Sequence, residues 1–175
     1  ARTFIIPPDD YVQTAQIGDF AGGDGLRGNI EFICQGRATI TRPVGPVFEC
    51  FFAFPTGTSN VSWSGFEFHL ADTAVVGCKA IQAYNNTRWK LQNCAFVCDD
   101  VPTNQGNGIA LGLFGCYNTT VTNCYFNRGQ CGFAGLGYGC NGVIFTNNTC
   151  DNVHDFAVSA VCGPPEETPL EIKNV

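Results

Sequence analysis

The sequence predicts an all-β chain wound as a right-handed parallel β-helix, a β-solenoid of about five coils. Three observations carry this expectation. Four segments repeat one apolar–polar alternation at intervals of roughly 22–30 residues. All four carry Gly or Asn at one shared internal position. The chain between them shows no helical periodicity.

In chain order, residues 1–27 read as an irregular lead-in, with Asp9 to Leu26 as loop. The β-helix is expected over 28–162. Gly28 to Cys34 alternates, Arg37 to Arg42 follows a glycine, and Val47 to Phe54 is a further strand. The clearest repeat begins at Val61-Ser62-Trp63-Ser64-Gly65-Phe66-Glu67-Phe68 and recurs at Trp89 to Phe96, Thr119 to Phe126 and Val143 to Cys150. Trp63, Leu91, Val121 and Phe145 then share an apolar column, and Ser64, Gln92, Thr122 and Thr146 a polar one. Such alternation marks a strand with one buried face. Gly65, Asn93, Asn123 and Asn147 share a turn column, because Gly and Asn accept the left-handed backbone that redirects the chain. Phe68, Phe96, Phe126 and Cys150 form a second apolar column, and Glu67, Ala95, Tyr125 and Thr149 face outward.

Parallel coils stack equivalent residues at about 4.8 Å. Asn93, Asn123 and Asn147 are therefore expected to form an asparagine ladder, with amides bridging neighbouring coils. A second set of segments runs Gly108 to Cys116, Gly132 to Cys140 and His154 to Cys162. Aligned on their last residues, Cys116, Cys140 and Cys162 are expected to stack inside as small apolar groups. Gly163-Pro164-Pro165 breaks the pattern, which leaves 163–175 as a C-terminal arm or the start of another coil. A propeller would repeat at about 40 residues, and a β-sandwich would show no such ladders.

Composition narrows the function. The 175 residues carry a net charge of −6, with no basic stripe to neutralise phosphates, so nucleic acid is not an expected partner. No apolar run reaches the roughly 18 residues of a membrane span, and Ala1 to Pro8 does not read as a signal peptide. The 11 cysteines are an odd number, so they cannot all pair internally. With no Cys-x-x-Cys and two His, neither a metal site nor a cofactor is expected. Most of the cysteines read as small buried hydrophobes.

The run Ala38-Thr39-Ile40, the segment Ser59 to Phe68, and the segments Leu91 to Phe96 and Val121 to Phe126 resemble the opening coils of the pectate-lyase-like β-helices. The resemblance covers roughly residues 28–162. That superfamily includes polysaccharide lyases, hydrolases and epimerases. It also includes bacteriophage tailspikes and other virion surface proteins, commonly trimeric. It implies a fold and leaves the activity open.

Asp99-Asp100 is similar to the acidic pair of polygalacturonase-like β-helices, but the Gly-His-Gly of that pattern is missing and His154-Asp155 does not replace it. Neighbours on a strand also point to opposite faces. Asp99 to Gly106 therefore reads more simply as a solvated loop, and no catalytic residue is assigned beyond these two candidates. His69, Asp99, Arg128 and Asp151 follow the phenylalanine column and fall on one edge, where they form either a polar binding patch or a plain turn edge. Tyr125 adds an outward aromatic for partner contact. Trp63 and Trp89 belong to the core. Asn60, Asn85, Asn118 and Asn147 begin glycosylation sequons, and a ladder position would bar Asn147 from carrying a glycan.

Few carboxylates, a short stack and ends without helical caps favour a non-catalytic module over an enzyme. The expected function is that of a virion structural protein. It would be a surface β-helix of a capsid or tail that forms a homotrimer, contacts other virion proteins and binds a polysaccharide. Assembly in a host cytoplasm would suit unpaired thiols. The alternative is a carbohydrate-active enzyme of the same fold, which would place the chain among secreted proteins.

Overall fold

The computed structural model describes residues 2–12, 28–42, 50–54, 58–70, 79–98, 109–114, 116–128, 131–135, 142–152 and 156–160. Among them are fifteen strands and no helix: β1 (Arg2–Ile6), β2 (Asp10–Val12), β3 (Ile30–Arg42), β4 (Cys50–Phe54), β5 (Ser59–Leu70), β6 (Lys79–Tyr84), β7 (Thr87–Gln92), β8 (Ala95–Cys98), β9 (Ile109–Phe114), β10 (Thr120–Thr122), β11 (Tyr125–Asn127), β12 (Cys131–Gly135), β13 (Ile144–Thr146), β14 (Thr149–Asp151) and β15 (Phe156–Ala160). They form a ten-stranded and a five-stranded sheet. Each strand pairing is parallel, as in a β-solenoid.

The larger sheet is made by one recurring path. β3 and β5 run the whole path as single long strands. In the later rungs, a corner divides it into β7 and β8, β10 and β11, and β13 and β14. Its register matches the sequence columns. Trp63 lies opposite Leu91, Leu91 opposite Val121, and Val121 opposite Phe145. Phe68, Phe96, Phe126 and Cys150 follow in the second apolar column. Equal spacing of identical groups brings aromatic faces together. Phe68 stacks on Phe96 at 5.2 Å and Phe96 on Phe126 at 5.1 Å. From the smaller sheet, Phe52 meets Trp63 edge-on at 4.5 Å and Phe54 meets Trp89 at 4.6 Å. These rings close the interior between the sheets, and Trp63, Trp89, Phe68 and Phe126 are all fully buried.

The turn column is left-handed throughout: φ is 84° at Gly65, 54° at Asn93, 53° at Asn123 and 55° at Asn147. Gly65 departs from asparagine for a local reason. In β3, Cys34 to Arg37 stand opposite Gly65 alone, and this bulge pushes the Cys34 carbonyl oxygen to 2.3 Å from where a Cβ on residue 65 would sit. A second left-handed corner precedes each path. Asn29, Asn60, Arg88, Asn118 and Gly142 occupy it on successive rungs, with φ between 55° and 65°.

Two expectations are corrected. Part of the N-terminal lead-in is regular: β1 and β2 pair with β3, placing Phe4 opposite Phe32 and Tyr11 opposite Ile40. The faint Arg2 to Ile6 alternation extends the same apolar columns, which gives these residues a partner. In the smaller sheet, Leu111 lies opposite Phe133 and Phe133 opposite Val158. This register is offset from an alignment on Cys116, Cys140 and Cys162. Cys116 is fully buried. Cys140 and Cys162 lie outside the described residues.

Candidate functional site

The outward face of β2, β3, β5, β8, β11 and β14 holds the candidate binding residues. Strand alternation and register set two columns there. One runs Asp10, Thr39, Glu67, Ala95, Tyr125 and Thr149, though Ala95, expected to face outward, is fully buried. The other runs Val12, Thr41, His69, Val97, Asn127 and Asp151. His69 and Asp151 therefore share a column, as expected. Arg128 does not belong to it. It follows Asn127 into a left-handed turn at φ 57°, matched by Asn152 at 54° on the next rung. Its backbone N–H donates to the Asp151 carbonyl at 2.9 Å. The sequence alignment counted from the phenylalanine column with one residue too many at Arg128. Asp99 and Asp100 lie outside the described residues.

Tyr125 is the centre of a small network. Asn127 Nδ2 donates to the Tyr125 hydroxyl at 2.6 Å, and that hydroxyl donates to Asp151 Oδ2 at 3.2 Å. Both partners fix the phenol, so the half-buried ring is held in place before any ligand arrives. Asn127 was missed in the sequence. Its signal is its spacing, two residues after Tyr125 on the same strand face.

Among the described residues, the carboxylates of these two columns, Asp10, Glu67 and Asp151, are spread along the stack. Glu67 is engaged by Arg37, whose Nη1 lies 2.6 Å from Glu67 Oε2. Asp151 lies three rungs from Glu67, or about 14 Å at the parallel-strand spacing. Asp10 lies two rungs from Glu67 in the other direction, about 10 Å. A pair performing glycoside hydrolysis needs roughly 5–9.5 Å. Among the described residues, no three His, Cys, Asp or Glu side chains converge on one point.

The corner asparagines differ from the expected ladder. Asn93, Asn123 and Asn147 are exposed. The amide that bonds between rungs is that of Asn148, the next residue inward. Its Oδ1 accepts from the Cys124 N–H at 2.8 Å, and its Nδ2 donates to the Val121 carbonyl at 3.0 Å. A further bond joins Asn60 Nδ2 to Asn29 Oδ1 at 2.9 Å across the other corner. Asn147 turns outward because its left-handed backbone, rather than its amide, satisfies the corner. Its corner position thus leaves its side chain accessible to a glycan.

The chain matches no family model, no curated protein and no solved structure.

Proposed function

We propose that the chain is a non-catalytic right-handed β-helix of about five coils, similar to the pectate-lyase-like superfamily, that serves as a virion surface module. It associates with copies of itself, as a homotrimer, contacts other virion proteins and presents the outward face of its larger sheet to a glycan. The observation that carries this reading is the chemistry of that face. It offers a fixed tyrosine ring, amides and hydroxyls, while the carboxylates its two described columns carry, Asp10, Glu67 and Asp151, stand about 10 Å or more apart, outside the spacing of a hydrolytic pair. Self-association draws support from the first rung, where Phe4 is 40 % exposed and Ile5 and Val12 are each 67 % exposed. Apolar side chains on strands at the edge of the described sheet favour burial against another chain.

Sedimentation measures the assembly, and a trimer at micromolar concentration is expected. A panel of neutral and acidic polysaccharides separates binding from cleavage. Retention without new reducing or unsaturated ends is expected. Cleavage that disappears in Asp99→Asn and Asp100→Asn would establish the enzymatic alternative instead.

A further inference from the structure

The corners between β7 and β8 and between β10 and β11 stack two cysteines. Ala95 is opposite Tyr125, and the Tyr125 N–H donates to the Cys94 carbonyl at 2.9 Å, so Cys94 and Cys124 occupy equivalent places on adjacent rungs. Both are buried, at 2 % and 3 % exposure. Their thiols adopt the same orientation. Cys94 Sγ donates to the Gln92 carbonyl and Cys124 Sγ to the Thr122 carbonyl, each at 3.4 Å. Both cysteines are free. The rung spacing of about 4.8 Å falls inside the Cα separation of about 4.4–6.8 Å that a disulfide requires.

We propose that Cys94 and Cys124 are a cross-rung dithiol that closes to a disulfide when a small-molecule disulfide is the oxidant. The two thiols lie one rung apart in equivalent orientations, so a disulfide between them needs no change of backbone path. The hydrogen bond with Cys124 holds the Cys94 thiol below its usual range. The same contact, and then burial, pushes the Cys124 thiol up. Cys94 is therefore the first nucleophile, reached by the small disulfide when the corner opens locally. Its thiolate attacks one sulfur of the small disulfide and expels the other as a thiolate. Cys124 then attacks the Cys94 sulfur of the mixed disulfide and expels the second small thiolate, its own proton passing to solvent. Two protein thiols are oxidised and one small disulfide is reduced to two thiols.

The test incubates the folded, reduced protein with oxidised glutathione, then blocks the remaining thiols and maps peptides by mass spectrometry. A Cys94–Cys124 cross-linked peptide is expected, lighter by about 2 Da than the sum of its reduced halves. The thermal midpoint should rise by roughly 5–10 °C, and Cys124→Ser should lose that rise while trapping glutathione on Cys94. A map of the oxidised wild-type protein in which both residues stay alkylatable, or in which either pairs with a different cysteine, overturns the proposal. Because this map needs no variant, misfolding of a serine mutant leaves the test intact.

Discussion

Replacing Gly65 by Ala separates two reasons for a residue at the turn column. The backbone at this corner is left-handed, with φ 84° at Gly65 and 53° at Asn123. Holding a residue with a Cβ there costs about 1–2 kcal/mol. Asn123 already carries a Cβ and tolerates this backbone through its short polar side chain, so Asn123→Ala should cost less than that, about 1 kcal/mol or under. At Gly65 the added Cβ would also lie 2.3 Å from the Cys34 carbonyl oxygen and 3.2 Å from that of Gly36. Both are backbone atoms of the β3 bulge, so no side chain can swing aside. Overpacking of this kind adds about 1–3 kcal/mol, which brings Gly65→Ala to roughly 2–5 kcal/mol. For a domain with about 5–15 kcal/mol of stability that is a large fraction. Urea unfolding followed by circular dichroism reads the difference, provided the m-values agree. If Gly65→Ala and Asn123→Ala shift the midpoint equally, the bulge is not what selects glycine, and the steric account fails.

Two further expectations concern the core and the corner. Phe126 is stacked between Phe96 and Phe145 and 1 % exposed. Its truncation to Ala should cost about 3–5 kcal/mol, whereas Phe4→Ala at the exposed first rung should cost well under half of that in the same unfolding assay. Asn148→Ala removes an acceptor from the Cys124 N–H and a donor from the Val121 carbonyl. A loss of about 1–3 kcal/mol is expected, and Asn147→Gly at the neighbouring exposed position should leave the unfolding midpoint nearly unchanged. Equal effects at 147 and 148 would contradict the assignment of the inter-rung bonds.

Much of the larger sheet was legible because its determinants are local. A strand with one buried face must alternate, and a left-handed corner must recruit Gly or Asn. The columns headed by Trp63, Ser64, Gly65 and Phe68 therefore carry the register in plain form. The second corner was harder to read, since Arg88 occupies it between Asn60 and Asn118. The first rung was harder still, because Arg2 to Ile6 gains its meaning only from pairing with Ile30 to Cys34. In the smaller sheet, apolar residues occur on consecutive positions, so alternation cannot fix the register, and aligning cysteines chose the wrong one. For the candidate site, Tyr125 and Asp151 were identified as outward residues. Their contact, and the part played by Asn127, depend on side chains from two rungs meeting.

The sequence by itself determined that this protein is a stack of parallel strands and which residues face inward in the larger sheet. Both follow from the period and chemistry of neighbouring residues, which the chain carries whatever its surroundings. Only the tertiary structure decided that Cys94 and Cys124 aim their thiols alike from adjacent rungs, that Asn148 rather than Asn147 bridges the rungs, and that the Cys34 carbonyl forbids a side chain at residue 65. Those outcomes depend on a few ångströms of separation between residues some 25–30 positions apart in the chain, and no local pattern encodes such a distance.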